Sequence, residues 1–254
     1  FGGLYGDCGN YSGAMASYPE SGGTPSYWKV PSSQAGIWEE GGADVLSNGN
    51  LLVADGNGAN TSTYNGTDGV IELSPNFSSV QYFAPSDWQS LNSGDTDLGS
   101  ESPAVLPNNQ ALQVGKDGVG YLISTTNPGG VGAQLYSAQL CSATEDAAFG
   151  NTAVNGEIVY VPCSDGITAV SVSGNSWTKL WHTSAGGEGS IVYAGGDLFE
   201  QVQNGTVYEV NASNGALLQS ISLSAPGAHW PWVEAIGTTL YAMNGQDLVA
   251  YSGL

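Results

Sequence analysis

Apolar residues along this chain fall in short runs broken by Gly, Asn, Ser and Asp, and the runs recur in a fixed order. A short strand leads to a turn, an apolar strand, a Gly/Asn turn, a second apolar strand, another turn and a more polar strand. One copy, within 189–224, reads Ser190-Ile-Val-Tyr, Asp197-Leu-Phe-Glu-Gln-Val, Thr206-Val-Tyr-Glu-Val and Ala216-Leu-Leu-Gln-Ser-Ile-Ser-Leu. The copy before it, within 149–186, reads Asn151-Thr-Ala-Val, Glu157-Ile-Val-Tyr-Val, Ile167-Thr-Ala-Val-Ser-Val and Trp177-Thr-Lys-Leu-Trp. Looser copies occupy 43–88 and 103–140, and partial ones lie at 1–36 and 230–254. Four strands in units of roughly 40 residues predict the blades of a β-propeller, here a single all-β domain over 1–254. A β-sandwich, which also shows short alternating strands, is the competing architecture. The equivalent phrases Tyr208-Glu-Val-Asn-Ala-Ser-Asn-Gly and Tyr241-Ala-Met-Asn-Gly favour the propeller. The leading and trailing units each lack strands, so the expectation is part of a larger propeller whose upstream blades were removed or travel as another chain.

Composition supports strands over helices: 38 Gly accompany abundant Ser, Asn, Val and Tyr. Charge narrows the partners. Against 23 carboxylates stand only Lys29, Lys116 and Lys179, for a net charge of −20. Nothing here neutralises phosphates, which argues against nucleic acid, and a basic patch for anionic lipid is absent. No apolar run approaches the ~18 residues of a membrane span. A surface of Ser, Thr, Asn and Gly suits an extracellular or cell-surface protein, and an acidic medium would relieve its self-repulsion. Of Cys8, Cys141 and Cys163, the last two flank the entry and second strand of one unit and are the expected disulfide; Cys8 is left without a partner. Asn-x-Ser/Thr sequons mark Asn10, Asn60, Asn65, Asn76, Asn204 and Asn211 as glycosylation candidates.

A strand ending Val207-Tyr-Glu-Val-Asn-Ala-Ser-Asn-Gly resembles the pyrroloquinoline quinone (PQQ)-type repeat, whose pattern is close to Leu-Tyr-Ala-Leu-Asp-Ala-x-Thr-Gly-Lys-x-x-Trp. Gly6-Asp-Cys-Gly-Asn-Tyr, Val53-Ala-Asp-Gly-Asn-Gly and Tyr160-Val-Pro-Cys-Ser-Asp-Gly resemble a secreted bacterial branch of PQQ-binding-like proteins. The resemblance covers most of the chain and implies a propeller of four-stranded blades. In quinoprotein dehydrogenases it also implies PQQ and Ca²⁺, held by basic side chains, an Asp base and, in many, adjacent cysteines. This chain has neither an Arg cluster nor vicinal cysteines.

The remaining candidates are sparse. Asp95, Asp97 and Glu101 are the carboxylates that suit Ca²⁺ or a base, and they equally suit an inter-blade turn in which Asp caps backbone amides. Asp55-Gly-Asn-Gly opens like a calcium loop but reads as a hairpin insertion, since the late bidentate Glu is missing. Glu39, Glu40, Glu145, Asp146 and Glu234 offer carboxylates whose separation a sequence does not fix. His182 is expected at a blade-end surface. His229, Trp230 and Trp232 form a candidate aromatic wall for a sugar or planar ligand, or else pack between blades. The functional expectation is a secreted or cell-surface, non-enzymatic scaffold or binding module for a protein or glycan. The alternative is a PQQ/Ca²⁺-dependent alcohol or sugar dehydrogenase, or a fragment of one, completed by upstream blades.

Overall fold

The computed structural model describes residues 9–143, 145–227 and 230–252, and within them the chain builds six sheets. The first holds β1 (Ala14–Ser17) and β2 (Ser26–Lys29). The second holds β3 (Asp44–Val45), β4 (Leu51–Ala54), β5 (Val70–Leu73) and β6 (Val80–Ala84). After a short helix α1 (Trp88–Ser93) and one 3₁₀ turn (Leu98–Ser100), the third takes β7 (Ala104–Leu106), β8 (Gln110–Val114) and β9 (Val119–Ser124). Next, β10 (Gly130–Val131) reaches back to the second sheet before β11 (Tyr136–Gln139) completes the third. The fourth is β12 (Ala153–Asn155), β13 (Ile158–Cys163), β14 (Gly166–Ser173) and β15 (Ser176–Thr183). The fifth is β16 (Ile191–Ala194), β17 (Asp197–Gln201), β18 (Thr206–Asn211) and β19 (Leu217–Ser222). The sixth holds β20 (Val233–Ile236), β21 (Thr239–Asn244) and β22 (Asp247–Ser252).

Apart from β10, neighbouring strands within each sheet are antiparallel and follow one another in sequence. This is the meander of a propeller blade, and the chain is a β-propeller of four-stranded blades. The sheets pack face to face in chain order. Met15 and Trp28 of the first meet Ile71 and Leu73 of the second. Phe83 and Leu52 meet Tyr121 and Ile123; Leu112 and Leu122 meet Val159 and Val170. Tyr160 and Ile167 meet Leu198 and Val210, and Phe199 and Val207 meet Leu240 and Ala242. Middle strands are therefore covered on both faces: every residue of β8 is buried, and β13 reads as an unbroken apolar run in which all but Ile158 are buried. Outer strands meet water: Leu217 and Leu218 of β19 and Leu180 of β15 are exposed.

The first strands of adjacent sheets lie side by side around an axis. Main chain passes close to main chain there: Glu101 bridges Gly150, the Ile191 amide donates to Asn151, and the Ser190 amide donates to Pro231. The lead-in to the second sheet crosses the same centre. The Gly41 amide donates to Ser102 Oγ at 2.8 Å, and Ser190 Oγ donates to Glu40 Oε2 at 3.2 Å. A side-chain carbon on Gly41 would run into Ser102 Oγ and the Asn151 amide, so this crossing needs glycine.

Two features have no counterpart in the repeat pattern. Trp88 of α1 buries its ring against Tyr64, and β10 pairs in parallel with Phe83–Ala84, adding a fifth strand to the second sheet. Blades four and five carry the same irregularity, a register shift at Ala169/Val170 and at Glu209/Val210, between their third and fourth strands. Such a bulge increases local twist where the outer strand leaves the core.

Cys141 and Cys163 form a disulfide, with Cα atoms 5.4 Å apart, which ties the end of blade three to the second strand of blade four. Their separation of 22 residues gives a chain-entropy stabilisation of about 3 kcal/mol. Replacing both cysteines by alanine is expected to lower the melting temperature by roughly 6–12 °C in scanning calorimetry. A drop within experimental error would show that blades three and four are held by packing alone.

Candidate functional site

Three aromatic rings from distant parts of the chain meet at the axis. Trp38 stacks on Trp230 with centroids 5.2 Å apart, and Trp230 stacks on Phe149 at 5.3 Å. Trp38 comes from the lead-in to the second sheet, Phe149 from the return between blades three and four, and Trp230 from the return to blade six. Trp230 adopts a left-handed backbone, φ 55°, which is rare for a bulky side chain and persists only where surrounding contacts enforce it. Two residues on, Trp232 is 45% exposed beside the start of β20. Phe149 is buried and the two other rings of the stack are half-buried.

Lys116 supplies the positive charge at this centre. It sits in the Gly115–Gly118 turn that joins β8 to β9, where the Gly118 amide donates to the Gly115 carbonyl at 2.9 Å. Its Nζ lies 5.7 Å from the Trp38 ring centre and 6.0 Å from that of Phe149, within cation–π range. The same Nζ is 2.5 Å from Asp97 and 3.8 Å from Asp95. Burial alone would lower the ammonium pKa, but the charge and hydrogen bond of Asp97 hold it above the usual lysine value. The other oxygen of Asp97 accepts the Asn57 amide at 2.7 Å. A side-chain carbon on Gly56 would strike that Asp97 carboxylate and the Trp38 indole nitrogen, so the close approach depends on glycine.

Around the axis, buried carboxyls clamp the amides of the turning chain. Glu39 accepts the Ala54 amide at 2.8 Å and Asp55 that of Gly69 at 2.8 Å. Asp68 accepts the Leu98 amide at 3.2 Å, and Glu200 accepts both Gly187 and Gly189 at 2.8 and 2.9 Å. Glu101 accepts the Thr152 hydroxyl at 3.1 Å. In each of these five side chains the second oxygen is buried without a hydrogen-bond partner. A bare buried oxygen suits the protonated, neutral acid far better than the charge. Desolvation accordingly pushes Glu39, Asp55, Asp68 and Glu101 well above the carboxylate range and Glu200 up to about 8. Glu40 rises to about 7 and Asp44 to about 6 from the same cause.

The structure does not gather the sequence-derived metal candidates. Asp95 and Asp97 converge on Lys116, whereas Glu101 is engaged with Thr152. Among the described residues no group of three or more His, Cys, Asp or Glu side chains is placed to hold a metal ion. A donor set pointed at an ammonium does not fit Ca²⁺. PQQ, with three carboxylates, does not fit either: the axial lysine is committed to Asp97, and Trp38 and Phe149 each stack on Trp230 there. His229 lies outside the described residues, as does Cys8. His182 is exposed on β15, with Nδ1 3.1 Å from Thr168 Oγ1 and Nε2 3.7 Å from Asp165. Of the sequons, Asn10, Asn60, Asn76 and Asn204 are exposed. Asn65 instead donates its amide to Ser32 Oγ and the Ala59 carbonyl, and Asn211 donates to Asp197.

Trp38, Phe149 and Lys116 escaped the sequence reading because each sits in a turn or crossing without a motif. The one available signal was that Lys116 is one of three basic residues in an acidic chain.

The arrangement is that of a propeller whose axis is closed by its own aromatic and ionic side chains. Solved structures that it resembles include, at 11% identity and TM-score 0.56, the β-propeller domain of Cps50 (Swd1) from Myceliophteria thermophila, covering 81% of this chain and 66% of that one. The computationally designed Ika8 protein matches 91% of this chain and 78% of its own at 11% identity and TM-score 0.50. BamB from Moraxella catarrhalis covers 94% of this chain and 78% of that one at 14% identity and TM-score 0.49. No protein-family model matches the chain, and no curated protein does. At these identities the likeness speaks for the fold alone.

A carboxyl with a raised folded-state pKa stabilises the fold fully below its unfolded value, near 4.3 for Glu, and loses that contribution as pH rises through the folded value. For Glu200 the window runs from about pH 4 to about 8, and Glu40 and Asp44 add to its lower part. Thermal melts are expected to peak in the acid range and decline steadily towards pH 8. Glu200→Gln, which keeps the acceptor for Gly187 and Gly189 without the titration, should flatten the upper part of that decline. A melting temperature that climbs between pH 4 and pH 8 would contradict the protonated state of these acids.

Proposed function

We propose that this chain is a secreted or cell-surface propeller of PQQ-like repeat type that acts as a non-enzymatic scaffold or binding module, engaging a protein or glycan at its axial face. The observation that carries this reading is the aromatic set at the axis. Trp230 is held in a left-handed backbone by stacking on Trp38 and Phe149, and Trp232 stands exposed beside it. An exposed indole two residues along the chain from a rigid aromatic stack offers a large contact area at low entropy cost, as binding hot spots do. The ionic groups beneath are already satisfied by one another. The disulfide accords with an oxidising, extracellular setting. No helix among the described residues is long and apolar enough to cross a membrane.

The test is binding of wild-type and Trp232→Ala protein to a glycan array and to candidate surface proteins, with thermal melts to confirm folding. Trp232→Ala is expected to weaken the principal interaction at least tenfold, or roughly 1.4 kcal/mol, with its melting temperature unchanged. Oxidation of an alcohol or sugar by the purified protein supplied with PQQ and Ca²⁺ would sink the proposal.

A further inference from the structure

A cleft of about 670 Å³ opens at the outer rim between the first and second sheets, far along the blades from the axial strands. Trp28 of β2 stands on one side; Ile71 of β5 with Val80 and Tyr82 of β6 stand on the other. Tyr82 stacks on Tyr64 with centroids 4.7 Å apart, and Tyr64 in turn has Trp88 against its edge. Tyr64 is locked by this stack. Its hydroxyl points inward, where a side-chain carbon on Gly69 would collide with it, so the ring is what Tyr64 contributes to the lining. Tyr82 is 38% exposed and Val80 44%, so both present apolar surface to the cleft and to solvent.

The polar part of the lining is also organised. Ser33, Thr61 and Asn65 contribute neutral hydroxyl and amide groups. Asn65 is fixed in orientation, donating to Ser32 Oγ at 3.0 Å and to the Ala59 carbonyl at 2.9 Å, while its carbonyl accepts from Thr67. Thr61 is anchored through the Thr63 carbonyl and by Gln89. Every residue lining the cleft is uncharged, on a chain carrying 23 carboxylates.

We infer that this cleft is a binding site for a neutral oligosaccharide, separate from the axial surface. The inference rests on the reading of the chain as a binding propeller and assigns a second site to it. Aromatic faces meet the C–H faces of pyranose rings, and the Ser33 and Thr61 hydroxyls, whose oxygens keep acceptor lone pairs, meet their hydroxyl edges. The volume is that of a small-ligand site. Charge decides between sugar classes: with a net charge of −20 and no cation in the lining, the protein repels polyanions.

The experiment titrates the whole chain with cello-, malto-, manno- and xylohexaose, followed by tryptophan fluorescence and calorimetry, with hexagalacturonate as the anionic control. At least one neutral hexasaccharide is expected to bind saturably and perturb the fluorescence, with hexagalacturonate inert. Tyr82→Ala and the rim-blocking Thr61→Trp should each weaken that binding tenfold or more. Both positions are solvent-facing, and an unchanged melt identifies loss of the site rather than of the fold. Trp232→Ala should leave hexasaccharide binding intact. If binding survives Tyr82→Ala and Thr61→Trp but is lost in Trp232→Ala, the cleft is not the site, while the axial reading stands. Absence of binding by all four sugars, tighter binding of hexagalacturonate, or saturation by palmitate or an apolar hexapeptide instead would also overturn the inference.

Discussion

Each blade of this propeller must return its chain from the outer rim to the axis, and every return exposes amides that no strand can satisfy. Burying an amide without a partner costs a free energy comparable to a lost hydrogen bond. The chain satisfies some of these with main-chain carbonyls, as the Ser190 amide does on Pro231. Others, together with those of the β4–β5 connection, it satisfies with carboxyls: Glu39, Asp55, Asp68, Asp97 and Glu200 each accept amides outside or at the ends of the strands. The apolar faces can then close between sheets, because the turns that lead into them are already fixed. Except for Asp97, which meets Lys116, none of these carboxyls has an ion-pair partner among the described residues, and burial raises the pKa of each. An interior so built favours acid.

The blades were legible in the sequence because their middle strands must be apolar on both faces. Leu198 and Phe199 of β17 and Val159 to Val161 of β13 are continuous runs for that reason, and the Asn-Gly turns between strands mark their ends. The phrase Val207–Gly215, which carries the repeat resemblance, also has a structural meaning. Trp181 of blade four donates its indole N–H to the Ala212 carbonyl and covers Gly215 so closely that a side-chain carbon there would collide with the ring. That dock is an inter-blade contact, and neither partner alone announces it.

The axial stack was only a third visible. Trp230 stood out through its neighbours Trp232 and His229, but Trp38 and Phe149 lie in connections whose meeting depends on how far the sheets fan out. Asp95 and Asp97 looked like ligands because a sequence shows two carboxylates and hides the lysine that folding brings between them. Short helix α1 and strand β10 were invisible for a related reason: one is held by the burial of Trp88, the other by a sheet edge far upstream. Local pattern reports local periodicity; long-range partnering is a property of the packed chain.

The parallel pairing of β10 with β6 also orders events in time. The outer edge of the second sheet is finished by residues that belong, in sequence, to the excursion between the third and fourth strands of the next blade. As the chain leaves the ribosome, that edge stays unzipped until Gly130 and Val131 have emerged. The second and third blades are thereby interlocked, like a clasp whose tongue is forged on the following link. A nascent chain halted between the two blades would present an open strand edge to whatever stands nearby.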